Sequence, residues 1–170
     1  MLINFMNITL ANKSDLPSIL AIYSGARSFM ASNGNKDQWG SSWPKEEVLE
    51  EDISLSRLFV IRDNDESIIG VFALIEGEDP CYKDIEGSWL NNKEYITIHR
   101  LASSFTYKGI FHLVIEYIKN NYPLDIRIDT HKNNTPMIKA ILKEGFIYTG
   151  IIYVNNDTPH SPRNAYQLER

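Results

Sequence analysis

The sequence predicts a mixed α/β (α+β) domain, one central sheet of about seven strands flanked by about four helices, and two observations carry that expectation. Residues 95–131 run strand, turn, helix, strand: Tyr95 to Ala102 alternates large β-formers with smaller or polar residues, Ser103 to Gly109 breaks it, Ile110 to Lys119 is apolar almost all round, and Ile126 to Thr130 is a second strand ahead of His131. Two strands joined through one helix lie parallel, with a right-handed crossover. The other strand-like runs are linked in hairpin fashion, which makes the sheet mixed.

Along the chain, Ile3 to Leu10 reads as the first strand. Ser14-Asp15-Leu16-Pro17 supplies a cap and an early proline, and apolar Leu16, Ile19, Leu20, Ile22, Tyr23 and Ala26 follow at helical spacing, so a helix should run to about Met30. Asn33-Gly34-Asn35 ends it. Lys36 to Pro44 is polar apart from Trp39 and Trp43, too aromatic for an idle loop. Pro44 to Ser56 is a second helix with acidic residues in its first turn, as the helix dipole favours. Leu58 to Arg62 and Ser67 to Glu76 form a hairpin over Asp63-Asn64-Asp65-Glu66. Gly77 to Lys93 reads as an irregular loop that lays Trp89 over a hydrophobic surface. After the strand–helix–strand unit, Asn134-Thr135-Pro136 caps a helix with Met137, Ile138, Ile141 and Leu142 on one face, closed by Gly145. Phe146 to Val154 is a long strand, Asn155-Asn156-Asp157 a turn, and Asn164 to Leu168 the last strand. No repeat, linker or low-complexity tract divides residues 1–170, so a single domain is expected.

The chain's 170 residues are enough to bury roughly 70% of the unfolded surface without cross-links. Cys81 is its one cysteine, which excludes an internal disulfide and a cysteine-based zinc site and fits a reducing compartment. A net charge of −5, with scattered lysines and arginines, argues against a nucleic-acid binder. No run approaches a membrane span, and Met1 to Met6 shows neither a cationic leader nor a cleavage site. A cytoplasmic protein with no membrane partner is expected.

The element order, taken with particular residues, resembles the GNAT superfamily of acyl-CoA-dependent N-acyltransferases over essentially the whole chain. Asn134, Met137 and Gly145-Phe146 match the spacing of an asparagine, a small residue three on and Gly-Phe eleven and twelve on. The family's Arg/Gln-x-x-Gly-x-Gly/Ala turn falls on Thr106 to Phe111, where only the first glycine, Gly109, is kept and Phe111 replaces a small residue. The family's frequent acid, a tyrosine seven residues after the asparagine, falls on Ile141. Gln38-Trp39, the strand Ile126 to His131 and Gly150 to Tyr153 are similar to one bacterial branch of the superfamily. The resemblance implies acetyl-CoA as co-substrate, no metal, and an amine acceptor of small-molecule or peptide origin. It further implies that amides of Tyr107, Lys108, Gly109, Ile110, Phe111 and His112 meet the diphosphate, that a backbone N–H among Leu101, Ala102 and Ser103 bonds the thioester oxygen as an oxyanion site, and that Asn134 also contacts the cofactor. A helix beginning just after a glycine suits that task, because its first N–H groups are unpaired and its dipole is positive there.

Acetyl transfer requires a neutral amine, and near pH 7 only on the order of one alkylamine molecule in a thousand is deprotonated, so a base or water chain must assist. His99, His131, Tyr153 and Glu94 are the candidates. His99 lies two residues before the implied oxyanion site, on the strand face of Tyr95, Thr97 and Leu101; the alternative is a histidine merely hydrogen-bonded within the fold. His131 ends the neighbouring strand, where open sheets place ligands and where polar residues also collect by default. Tyr153 is either at the acceptor pocket or an ordinary core tyrosine. Gln38, Trp39 and Trp43 either wall the acceptor pocket or cap the core. Arg100 and Arg127 are expected to pair with Asp129 or Glu94. Two functions stay open: an N-acetyltransferase, and a non-catalytic acyl-CoA-binding or regulatory module of the same fold, suggested by Phe111 and Ile141. The exposed sheet end makes a homodimer a further candidate.

Overall fold

The computed structural model describes residues 6–154 and 161–170, and among these eight strands make a single sheet. They are β1 (Asn7–Leu10), β2 (Leu58–Arg62), β3 (Ile68–Glu76), β4 (Glu86–Gly87), β5 (Tyr95–Ser103), β6 (Asp125–Thr130), β7 (Ile147–Val154) and β8 (Ser161–Leu168), in spatial order β1-β2-β3-β5-β6-β8-β7-β4. Only β5 and β6 are parallel, and α3 (Ile110–Asn121) joins them, as the apolar helix between two strands requires. The other helices are α1 (Leu16–Ser32), α2 (Glu46–Ser54) and α4 (Thr135–Lys143). The first three residues of the expected opening strand, and the turn at 155–157, fall outside the described residues.

The eighth strand is β4, inside the stretch expected to be irregular. Two residues carry no alternating pattern, so sequence periodicity cannot reveal them. What allows the pairing is glycine on both sides: a Cβ at Gly150 would stand 2.2 Å from the Glu86 carbonyl oxygen, and one at Gly87 would stand 2.2 Å from that of Thr149. The last strand also starts earlier than expected, at Ser161, because Arg163 and Ala165 point inward beyond its polar opening. Helix α1 is entered through a 3-10 turn whose capping box runs from Asn12 to Asp15, and not from Ser14.

Alternation along the strands divides the core. Leu58, Val60, Val71 and Ala73 face α1 and α2, where they pack on Ile19, Tyr23, Ala26 and Leu49. Phe59, Ile61, Phe72, Leu74, Ile96 and Ile98 face α3 and α4 and pack on Val114, Ile115, Ile118 and Ile141. Ile141, where the family pattern has its acid, is fully buried in that second core. A third cluster under the 77–94 excursion joins Tyr82, Tyr95, Ile152 and Ala165, with Trp89 against it.

Candidate active site

β5 and β6 are bonded from Tyr95 with Asp125 to Ile98 with Ile128 and no further, although β5 continues to Ser103. Beyond Ile98 the sheet is therefore open between its two halves. At the same place β5 carries a bulge, because Val71 pairs with Ala102 whereas Ala73 pairs with His99, so three residues of β3 face four of β5. Arg100 takes up the extra length at φ +53°. The bulge inverts the alternation: Leu101, expected on the face of His99, packs instead with the α3 and α4 core, while Ala102 joins the α1 side.

The bulge is clamped from behind. The Tyr23 hydroxyl donates to the Arg100 carbonyl oxygen at 2.6 Å, and burial pushes that phenol far above its ordinary pKa, so it stays protonated. The Arg100 guanidinium donates to the fully buried carboxylate of Asp52 at 2.8 and 2.7 Å, which also accepts from Arg57 at 2.9 Å. The expected partners of Arg100 and Arg127 are thus corrected. Asp52 is separated from Arg100 by 48 residues and no local spacing signals it, and Asp129 accepts from the Tyr82 hydroxyl at 2.7 Å.

A cleft of about 460 Å³ occupies the opening. His99 faces it, with Nε2 2.6 Å from Asp79 Oδ2. Asp79 is itself held firmly: its Oδ1 accepts from the Cys81 amide at 2.9 Å, and its amide donates to the Tyr95 hydroxyl at 2.9 Å. Burial alone would raise the Asp79 carboxyl, but the hydrogen bond and charge of His99 and the Cys81 amide outweigh it and hold it below the usual aspartate value. An ionised Asp79 accepts Nε2–H, so Nδ1 is the ring nitrogen left to exchange a proton with the cleft. Asp79 is the main residue that sequence reasoning missed. Asp79-Pro80 marks a capped turn, but nothing local ties it to a histidine twenty residues on.

The remaining candidates separate. His131 is buried, accepts from the Asn133 amide at 3.2 Å, does not line the cleft, and is pushed below the ordinary histidine value by burial and then by the charge of Arg163. Tyr153 is 40% exposed and donates to Glu86 at 2.7 Å, also off the cleft. Glu94 is exposed at the far end of β5. Trp39 and Trp43 line the cleft, and Trp39 also packs edge-on to Tyr23 at 5.6 Å against the core. Gln38 is a tether: its Oε1 accepts from Asn134 at 2.9 Å and Asn35 at 2.8 Å, and its carbonyl oxygen accepts from Arg163 at 2.9 Å.

A narrower slot of about 180 Å³ continues the cleft between the end of β5 and the starts of α3 and α4. Leu101, Asn134, Met30 and Met137 line both spaces, and Ala102, Ser103, Ile110 and Phe111 line the slot alone. Phe111 does not fill it; the side chain is buried in the core with its ring 6.2 Å from that of Phe146. Gly109 caps α3 at φ +81°, and the amides of Tyr107 through His112 find no acceptor among the described residues. Around them, Lys108 is exposed, the Tyr107 hydroxyl reaches Asp63 at 3.3 Å, and His112 Nδ1 is 3.0 Å from Glu144. Among the described residues no group of histidine, cysteine or carboxylate side chains is arranged to hold a metal, and no helix is long and apolar enough to cross a membrane.

Solved structures similar to this fold include GNAT-family acetyltransferases. The chain is similar to a GNAT-family acetyltransferase from Streptococcus agalactiae 2603, with 28% identity, a TM-score of 0.85, and coverage of 97% of this chain and 95% of that one. It is also similar to a Staphylococcus aureus Mu50 protein classed provisionally as an acetyltransferase, at 29% identity and a TM-score of 0.67 over 95% of this chain and 97% of that one. A GNAT-family acetyltransferase from Listeria monocytogenes shares the fold at 16% identity, with a TM-score of 0.70 and coverage of 97% and 95%. No protein-family model and no curated protein matches the sequence. These likenesses, at near-complete coverage, support the GNAT superfamily as this chain's kin and acetyl transfer as the general chemistry of its neighbours.

Proposed function

We propose that the protein transfers an acetyl group from acetyl-CoA to a primary amine by direct attack within a ternary complex, with His99 as the base. The carrying observation is the continuity of three features: unpaired amides at the start of α3, a slot running from them, and the His99–Asp79 pair where that slot widens. The residues fit the co-substrate. Six consecutive amides without an internal acceptor, ahead of a helix dipole, suit a diphosphate, and the largely apolar slot suits an uncharged pantetheine arm. Acetyl-CoA supplies the activated thioester.

The chain's own residues then do three things. The bulge at Arg100 frees β5 from its ladder, so that amides between Leu101 and Ser103 can stabilise the developing oxyanion. Asp79 fixes the imidazole and supports its positive charge, so that Nδ1 can take a proton from the amine as nitrogen attacks the carbonyl carbon. The C–N bond forms, the C–S bond breaks, and a proton passes to the leaving thiolate. With Ile141 buried, α4 offers no acid for that last transfer, so solvent reaching the cleft or the imidazolium itself must supply it.

Calorimetry with acetyl-CoA, followed by thiol release and mass spectrometry against an amine library, tests the reading. Saturable binding and an acetylated amine are expected. Binding with no acetylated product from any acceptor would leave only an acyl-CoA-holding module, and absence of binding would remove both.

A further inference from the structure

One carboxylate of the cleft takes no part in the chemistry above. Asp129 lines the cleft from β6, one position past Ile128, where the β5–β6 ladder ends, and is thus the neighbour of His99 across the opening. Ile98 and Ile128 point into the α3 and α4 core, so His99 and Asp129 share the other face of the sheet. Tyr82 touches both side chains: its hydroxyl donates to Asp129 Oδ1 at 2.7 Å, and its ring centre lies 6.1 Å from that of the His99 imidazole. Burial, and after it the charge of Asp129, push that phenol well above its ordinary pKa, so it remains a donor.

The other charges of the cleft are matched or solvated. Arg57 and Arg100 hold Asp52, Asp79 holds His99, and Glu78 is exposed, where solvent screens it. Arg163, the diagonal neighbour of Asp129 on β8, directs its guanidinium to Ser161 and to the carbonyl oxygens of Pro162 and Gln38, and makes no ion pair among the described residues. Directly opposite Asp129 on β8 stands Ala165, which has no polar side chain to offer. Asp129 Oδ2 accepts nothing from the described residues. A half-buried carboxylate with an unused oxygen, in a cleft walled by Trp39, Trp43 and Met30, suits a cation on an alkyl stem: the charge is paired away from bulk water and the stem lies on apolar surface.

Resting on the acetyl-transfer reading, we propose that Asp129 is a specificity-determining residue that docks the acceptor as its ammonium form beside His99, which makes alkylamines, charged near neutral pH, the substrate class. The protons balance. The docked ammonium releases one proton to solvent in the cleft, and the neutral nitrogen then attacks; the C–N bond forms, the C–S bond breaks, and His99 Nδ1 takes the second proton. Once the thiolate is protonated, the products are an amide, a thiol and one proton in solvent. The nitrogen is positive both when it docks and as the C–N bond forms, so Asp129 favours ground state and transition state alike. An interaction of that kind lowers KM and leaves kcat nearly unchanged.

Calorimetry on the protein saturated with coenzyme A, where no transfer can occur, compares hexylammonium with hexanol, a neutral molecule of the same length. Hexylammonium should bind the wild type tighter by about tenfold or more, the worth of one charge-assisted hydrogen bond. Asp129→Asn keeps an oxygen for Tyr82 and removes the charge, so the ratio should fall to near one with hexanol unaffected, whereas Glu78→Gln should move it by less than about twofold. With acetyl-CoA, Asp129→Asn should raise KM for hexylamine about tenfold while kcat stays within about twofold. Equal affinities in the wild type, or no binding of either molecule, overturns the proposal whether or not the variant folds. So does an unchanged ratio in a folded Asp129→Asn, or a loss in Glu78→Gln as large as in Asp129→Asn. Acetylated hexylamine in any of these cases leaves the acetyl-transfer reading standing, whereas Asp129-dependent hexylammonium binding with no acetylated product from any amine removes that reading and leaves the cation site.

Discussion

At the scale of single residues, the site depends on a pair that no local pattern joins. His99→Ala should lower kcat by about a hundredfold or more, the usual worth of a positioned base, while the dissociation constant for acetyl-CoA stays within about twofold. Single-turnover rates and calorimetry on the same preparation check both halves, and an unchanged rate would remove His99 from the chemistry. Asp79 leaves a mark in stability too. Its folded pKa is depressed, so its ionised form stabilises the fold above the ordinary aspartate value of 3.8, and this contribution is lost as pH falls through the lower folded value. Asp79→Asn should therefore be less stable than the wild type from neutral pH down to about 4, with the gap closing below that, as urea midpoints across a pH series would show. The histidine could be singled out in the sequence because it lies on the strand two residues before the implied oxyanion site. Its carboxylate could not, because the 77–94 excursion that returns Asp79 to it is held by tertiary contacts: Tyr95 to the Asp79 amide, Tyr82 to Asp129, and the two-residue β4.

At the scale of elements, strand–turn–helix–strand was readable from periodicity alone, and its turn illustrates how a glycine acts. A Cβ on Gly109 would meet nothing within 4 Å, so a larger side chain there does not crowd an anion directly. The obstacle is the backbone: φ is +81°, a region that β-branched residues strongly avoid. Gly109→Val should cost about 1–2 kcal/mol of stability and, by turning the first amides of α3, raise KM for acetyl-CoA several-fold with a smaller change in kcat. Initial-rate kinetics over a cofactor series separate the two; a kcat collapse at unchanged KM would contradict the assignment. The bulge in β5 was not readable, because Arg100 is a poor residue for positive φ and nothing near it announces an extra position. It exists because Asp52 and Tyr23, from two other elements, hold both ends of the residue.

At the scale of the whole molecule, the opening between the sheet halves is a strained arrangement kept in place by the α1 and α2 layer. Tyr23 on α1 takes the Arg100 carbonyl, and Asp52 on α2 takes the guanidinium together with that of Arg57. Asp52 is fully buried with two cations converging on it, so removing its charge strands both. Loss of a buried partner is worth about 3–5 kcal/mol, and the partial exposure of the arginines, 28% for Arg57 and 13% for Arg100, argues for the lower end of that range. Asp52→Asn keeps the shape and some of the hydrogen bonding, so it should fold with stability reduced by roughly 3 kcal/mol. If the clamp sets the bulge, the same variant should also lose turnover more than acetyl-CoA affinity, because the start of α3 lies on the opposite face and does not touch Asp52. Hydrogen exchange should show faster exchange confined to 99–103 and the end of α2. Uniform loosening with proportional loss of binding and rate would mean that Asp52 serves only general stability, and that β5 holds its bulge without the helices behind it.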